Sequence, residues 1–500
     1  PRRPNVTIRD RRWKVAGAVA ACLTLVVACG SEVDPKDFVG AQGALPVNGS
    51  GAPVVNQSGQ VVIPGSTGTV ANPGTGNNPG TGNNPGNNPG TGNNPGTGNN
   101  PGGGTGPIAV GVKPGSCAGF KNSTGITNST ITIANVADLS GPVPGLFKSA
   151  QAAVTAFVAY FNSTSSICGR KLKVEGLDSG TSESGDQAAA TTACGNAFAM
   201  VGSMGAFDAG GADTVTHCGI PDLRAASTET ARQKSPDVFG AYGLNSSEIP
   251  NTAFNYFKRI GGDAYKHAAF VYLNAGASTL NANNFIAAEK KMGYNFVYVQ
   301  PINVSGGLIP YDSYATQMAS KGVKYVQYIG AAAPYAQQMK QAINNEAKND
   351  SSFHPMWVMD PTAYDNSYTS AGSAMDGTWS FVPAPLYLNE VNKNAELATY
   401  AQWLQRTSGG SPTFFGTYAW AAARLFTTLA VQLGGKLTRA SLIAAIAKQH
   451  HFTDLGMVPP QDVGGEHTPT CMSIVQRVNG NWVRKTPYPY TCGQLVKSGV

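Results

Sequence analysis

Charge is scarce in this sequence. Asp, Glu, Lys and Arg make up 13% of the residues, about half the usual share. The formal charge of +7 is not a surface property. Arg2, Arg3, Arg9, Arg11, Arg12 and Lys14, set against Asp10, concentrate most of it at the extreme N-terminus. The remainder is nearly neutral, so no basic face for nucleic acid is expected. No cysteine pair has C-x-x-C spacing, which argues against a metal ribbon or a dithiol redox site. His450 and His451 have no His, Asp or Glu partners at ligand spacing, and their place at a helix end points to a dipole interaction. Gly202-Ser203-Met204-Gly205 lacks the spacing of a nucleophile elbow. Gly434-Gly435-Lys436 lacks the earlier glycine of a phosphate loop. An enzyme is therefore not expected, nor any cofactor or metal.

Glycine and proline, by contrast, are plentiful, at 61 and 32 residues. Many fall in a repeat of NPGTGN type at residues 72–106. Such a segment has no apolar side chains to bury and cannot offset its ordering entropy. Residues 29–116 are therefore expected to form a disordered tether. Its end-to-end distance is about 50 Å by random-coil scaling.

Before the tether, a basic region ends at Lys14 and an apolar stretch follows at residues 15–27. That stretch is too short to span a bilayer comfortably. Val26-Val27-Ala28-Cys29 resembles a bacterial lipobox, whose cysteine is acylated and becomes the mature N-terminus. Residues 1–28 are then a lipoprotein signal peptide, Cys29 is the lipidation site, and the chain is held outside the cytoplasm on the cell membrane. A plain secretory signal with a chance cysteine is the alternative.

Cys22 lies in the signal. With Cys29 also set aside, Cys117, Cys168, Cys194, Cys218, Cys471 and Cys492 remain. An even number in an exported chain implies disulfides, with about fifteen pairings open to six cysteines. Sequential pairing is expected: Cys117–Cys168, Cys194–Cys218 and Cys471–Cys492. The last has local support, because Asn479-Gly480 predicts a hairpin that draws its flanking cysteines together.

From Cys117 onward the composition is globular. Residues 131–180 form the first strand–helix–strand unit. Ile131, Ile133 and Val136 read as a strand, Ala153, Phe157, Tyr160 and Phe161 as a helix face, and Leu172, Val174 and Leu177 as a second strand. The loop between them is rich in small residues. In parallel α/β sheets such loops lie at the carboxyl ends of strands, where ligands bind. The rhythm continues, with strands at 267–273, 296–300, Tyr325–Ile329 and 355–359, and helices at 283–292, Tyr311–Ser320, 336–345 and 413–433. The apolar stripe of the last helix reads as core packing. This alternation predicts an α/β fold with two lobes, each a parallel sheet flanked by helices.

These residues resemble a known family. Residues 131–145, Tyr160-Phe161-Asn162, Gly169-Arg170-Lys171-Leu172 and Asp178 are similar to the opening of type I periplasmic-binding proteins. Among these, the leucine/isoleucine/valine-binding proteins of ABC importers are the nearest in look. Val201-Gly202-Ser203, Ala226-Ser227-Thr228, residues 243–247, Tyr328-Ile329-Gly330, Met375-Asp376-Gly377 and Tyr418-Ala419-Trp420 follow in family order. The resemblance covers about residues 131–482. It implies two lobes joined by three crossovers, with hinge closure on a ligand in the cleft. The lobes would be 117–249 with 376–455, and 250–375 with 456–500.

The resemblance also implies a site. Ala206, Ala226 and Thr228 match positions that hold an amino acid's carboxylate. Backbone N–H groups of the loops holding Ser203, Phe207 and Ser227 suit such an anion. Ser227 and Thr228 are equally natural helix caps, and the two roles are compatible. Asn274 ends a strand on the other side of the cleft. Two departures stand out. Thr362, between Asp360 and Tyr364, occupies the position where amino-acid binders carry an acid for the ligand's ammonium. Leu146 and Ala332 occupy positions expected to be aromatic, with Phe147 and Tyr335 nearby. The expected function is therefore an extracytoplasmic solute-binding lipoprotein. It would be a monomer that hands a small amino-acid-like, carboxylate or amide ligand to ABC permease subunits. A ligand sensor or cell-envelope binding module without transport is the alternative.

Overall fold

A computed structural model describes residues 112–304, 307–387 and 389–500. The expected signal peptide, Cys22, Cys29 and the tether as far as residue 111 lie outside the described residues. Two sheets organise the rest. The first contains β1 (Thr130–Ala137), β2 (Lys171–Asp178), β3 (Ala199–Val201), β4 (Asp222–Arg224) and β5 (Val238–Gly240) in the order β2-β1-β3-β4-β5. All of its pairings are parallel. β6 (Glu248–Pro250) leaves this sheet along the first crossover.

The second sheet contains β7 (Ala268–Leu273), β8 (Phe296–Ile302), β9 (Tyr325–Ile329), β10 (Met356–Met359), β11 (Trp379–Val382), β12 (Cys471–Val478) and β13 (Asn481–Arg484). Their order is β13-β12-β11-β10-β9-β7-β8, and β14 (Thr491–Cys492) pairs with β12. The first five are parallel, and β12 and β13 are antiparallel. Finally, β15 (Leu495–Lys497) returns to pair with β6.

Both faces of each sheet are covered, as a parallel sheet requires. In β1, Ile131 and Ile133 enter one apolar core while Ala134 and Val136 enter the core on the opposite face. The first of these cores is built on the Lys148–Thr164 and Phe414–Leu433 helices. Trp420 meets Phe157 edge to face at 4.9 Å and stacks on Tyr160 at 5.9 Å. Such buried aromatics contribute about 1.5–3 kcal/mol each. The Phe414–Leu433 helix is buried around nearly its whole circumference. Its apolar stripe is therefore core. Thr413 caps it by accepting from Gly416 N at 3.1 Å. Gly202, at φ +65°, lets the end of β3 approach both helices, because a Cβ there would lie 3.0 Å from Ala419 O and 2.5 Å from Val154 Cγ2 of the Lys148–Thr164 helix.

The three disulfides join Cys117 to Cys168, Cys194 to Cys218 and Cys471 to Cys492. Asn479 and Gly480 take φ of 50° and 77°, the left-handed pair that a two-residue hairpin needs.

The lobe boundaries fall later than expected on two crossings. β11 extends the second sheet, with Phe381 against Phe254 at 5.7 Å and Trp379 against Phe257 at 6.0 Å. The chain thus returns to the first lobe after Val382, not at residue 376. Met457, Val458 and Val463 pack in the first core, so the last crossing follows Val463 and not residue 455. Among the described residues no helix is long and apolar enough to cross a membrane.

Candidate functional site

The carboxyl ends of both parallel sheets face one cleft, as strand polarity dictates. A cavity of about 660 Å³ opens there. One wall is the loop after β1, with Pro142, Val143, Pro144, Gly145 and Leu146, followed by Ser149. The other is the loop after β9, with Ala331, Ala332, Ala333, Pro334 and Tyr335, joined by Gln338, Thr362, Asp365 and Ser367. Thr413, Phe414 and Phe415 close one side from the start of the long helix. Three helices begin at this cavity, at Lys148, Ala333 and Phe414; Lys148 N, Ala150 N and Tyr335 N donate to the carbonyls of Gly145, Phe147 and Ala332, and Gly416 N to the Thr413 hydroxyl.

Of the residues expected from sequence, Leu146, Ala332 and Thr362 line this cavity. Phe147 sits behind it, only 2% exposed and edge-on to Phe415 at 4.9 Å. Asp360 lies beside it. Its carboxylate accepts from Thr362 N at 3.2 Å and from the Thr362 hydroxyl. Burial pushes Asp360 up to about 6 against the pull of these donors. Tyr364 is in the core, where its hydroxyl accepts from Tyr387 N at 2.9 Å and its ring meets Trp482 at 5.5 Å. Asn274 is exposed and bonded to Asn303 and Thr279.

The expected carboxylate cradle is occupied by the protein's own carboxylates. Ala206 N donates to Asp138 Oδ2 at 2.9 Å. Thr228 N and Glu229 N donate to Asp208 at 2.8 and 2.9 Å. The Thr228 hydroxyl donates to Gly205 O at 2.7 Å, and the Ser203 hydroxyl accepts from Val136 N at 3.1 Å. Ala226 is buried, and its carbonyl accepts from Arg224 Nε. Ser227 is 5% exposed, and its hydroxyl has no partner. Arg224 and Arg232, both fully buried, balance Asp186, Asp208 and Asp222 behind this loop. Asp138 is nonetheless raised, because burial outweighs the Ser179 and Ala206 donors.

The second lobe also seals this inner position. Ala277 N, at the start of the Gly276–Lys291 helix, donates to Ala206 O at 3.0 Å. Phe207 lies against Gly276, where a Cβ would be 3.1 Å from its ring. The inner loops of the first lobe are therefore closed by protein, and the open space lies outward, between the β1 and β9 loops.

Phe414 and Phe415 are functional candidates not singled out from the sequence, whereas Asp365, a candidate substitute for the acid missing at Thr362, does reach the cavity lining. A signal existed in Thr413-Phe414-Phe415, a capping threonine directly followed by two aromatics. His450 bonds Asp462 at 2.6 Å. Among the described residues no group of three His, Cys, Asp or Glu is placed to hold a metal.

A model of the periplasmic binding protein family matches residues 130–481. No curated protein matches the chain. Among solved structures, the chain is similar to the branched-chain amino acid transporter substrate binding protein LivJ from Streptococcus pneumoniae, in complex with isoleucine. Identity is 15%, over 74% of this chain and 100% of that one, with a TM-score of 0.58. A fatty acid ABC transporter substrate-binding protein from Thermomonospora curvata aligns at 16% identity, over 76% and 95%, with a TM-score of 0.60. A solute binding protein of an ABC transporter from R. palustris, in complex with benzoate, aligns at 15%, over 73% and 97%, with a TM-score of 0.58. Such identities speak for the fold alone. With a family match over most of the globular part and a pair of parallel sheets facing one cleft, the chain belongs to the periplasmic binding proteins, with the two-lobed fold of type I.

Proposed function

We propose that this protein is an extracytoplasmic solute-binding lipoprotein. It captures a small molecule between its lobes and presents it to the permease of an ABC importer. The observation that carries the reading is the cavity of about 660 Å³ walled by loops of both sheets. Its size suits a small ligand, and a ligand touching both walls favours the closed arrangement by its extra contacts there. Leu146, Ala332 and Thr362 are the contacts retained from the sequence, with Phe414, Phe415 and Asp365 added. Cys29 would carry the lipid, the expected tether of residues 29–116 would dock its end where Gly115 N donates to Val431 O at 2.9 Å, and the protein would act as a monomer.

The test is occlusion. Leu146→Trp adds bulk to the first wall, whose neighbours are prolines with little freedom to retreat. Binding, followed by calorimetry against a solute panel, should weaken at least tenfold while the melting temperature stays near that of the unaltered protein. Unaltered affinity in a folded variant would remove the cleft as the binding site. Loss of solute uptake in cells lacking the protein, restored by the original chain and not by the variant, would tie the cleft to import.

A further inference from the structure

We infer that the cleft selects an uncharged ligand, one with an apolar body and a carbonyl-type acceptor oxygen, and rejects free carboxylates. The inference rests on the cleft being the binding site and deepens that reading.

The donors that would neutralise an anion in the inner cleft are spent. Ala206 N, Thr228 N and Glu229 N already face Asp138 and Asp208 at 2.8–2.9 Å. Ala277 of the opposite lobe sits on Ala206 O at 3.0 Å. A ligand carboxylate cannot reach these groups without displacing a buried carboxylate that Arg224 also holds. The ligand is thereby confined to the outer cavity. There the lining contains no Lys, Arg or His side chain. It contains Asp365, and Asp360 is held against the lining residue Thr362. An anion would meet like charge in a partly desolvated space, where repulsion is weakly screened.

The rest of the lining describes what does fit. Val143, Leu146, Phe414 and Phe415 offer apolar area. The helices starting at Lys148 and Ala333 have no side-chain cap at their N-termini. Lys148 N, Ala150 N and Tyr335 N turn to the carbonyls of Gly145, Phe147 and Ala332, and Pro334 carries no N–H, so Ser149 N and Ala333 N, both of lining residues, are the groups that call for an acceptor oxygen. The same positive helix ends oppose a cationic ligand and favour acceptor oxygen whatever its charge, so rejection of a carboxylate falls to Asp365 and Asp360. Acceptor oxygen without net charge satisfies both constraints.

A matched series with one apolar body tests this: 3-phenylpropanamide, 3-phenylpropanoate and 3-phenylpropylammonium. Titration calorimetry on the full chain should rank the amide at least tenfold tighter than the carboxylate and tighter than the amine. Asp365→Asn should narrow the gap between amide and carboxylate threefold or more. The conservative change keeps an acceptor for Ser367, whose N–H and hydroxyl Asp365 accepts. Equal or tighter binding of the carboxylate, tightest binding of the amine, or no binding of the amide at millimolar concentration would overturn the inference. Leu146→Trp separates the two levels. A carboxylate that binds best and is lost in Leu146→Trp refutes the ligand class and leaves the cleft standing. A compound whose binding survives Leu146→Trp refutes the cleft itself.

Discussion

Gly276 is where closure of the two lobes is most open to a single-atom test. Its φ of +48° places it in the left-handed region, and its neighbour Ala277 donates to Ala206 O across the cleft at 3.0 Å. An alanine Cβ would stand 2.4 Å from that same carbonyl oxygen and 3.1 Å from the Phe207 ring. Ordinary contact needs roughly another ångström, and a shift of that size breaks the hydrogen bond. The lost bond costs about 0.5–1.5 kcal/mol, and forcing a methyl into a packed contact about 1–3 kcal/mol. Together the closed arrangement loses roughly 2–4 kcal/mol against the open one, a change of about 30-fold or more in their ratio.

Left-handed strain from the alanine itself adds to overall instability but is shared by open and closed forms. Gly293→Ala separates the two effects. It has φ +92° at the end of the same lobe-two segment, and the nearest atom to an added Cβ, Lys258 Nζ, is 3.7 Å away. Small-angle scattering should give a larger radius of gyration for Gly276→Ala than for the unaltered protein or Gly293→Ala, with weaker ligand binding in parallel. Identical scattering and affinity in all three proteins would refute the contact as a determinant of closure.

Two further outcomes follow from buried carboxylates. Asp208→Ala should destabilise the first lobe by about 3–5 kcal/mol in urea denaturation, the scale for breaking a buried ion pair. The change leaves Thr228 N and Glu229 N without their acceptor and Arg224 with one carboxylate fewer, and a loss under about 1 kcal/mol would contradict the bonding described. Glu289 is fully buried, and burial holds its pKa well above the ordinary value against the pull of the neighbouring Gln327 amide. A raised folded pKa means stability that is complete below the unfolded value near 4.3 and is lost as pH rises toward the folded one. Glu289→Gln should therefore stabilise by about 1–3 kcal/mol at neutral pH and by less at pH 4–5, and a gain that does not change with pH would sink the assignment.

The architecture was legible because its signals are local and repeated. Strand β9 and the helix at Tyr311–Ser320 coincide with their predicted spans. The Asn479-Gly480 turn fixed a hairpin by backbone conformation alone. Where the expectation slipped, the pairing is distant in sequence. Glu248-Ile249-Pro250 is a three-residue strand whose partner, Leu495–Lys497, lies at the far end of the chain. β11 has four residues between a glycine turn and a proline. Such a short run does not announce a strand until β10 and β12 flank it. Helix starts were also placed late, as at Gly276, because Gly, Ala and Ser in its first turn carry little periodic signal.

The cleft was harder to read, for a different physical reason. A backbone N–H at a loop advertises an anion site but does not say which anion fills it. Asp138 and Asp208 are far in sequence from the nitrogens they serve, at 68 residues from Ala206 and 20 from Thr228. Neither carboxylate stood out from the sequence as a partner for those loops. Once they are in place, the small residues Ala206, Ala226 and Thr228 keep the shape of an anion cradle while losing its capacity to bind one. Thr362, where an acid for an ammonium was expected, belongs to the same change. On the proposed reading, a site with its anion donors occupied lacks the carboxylate pole of zwitterion recognition, while Asp365 and Asp360 remain at the cavity in place of an acid at Thr362. Under that reading the apolar and aromatic walls at Leu146, Phe414 and Phe415 decide which solute enters.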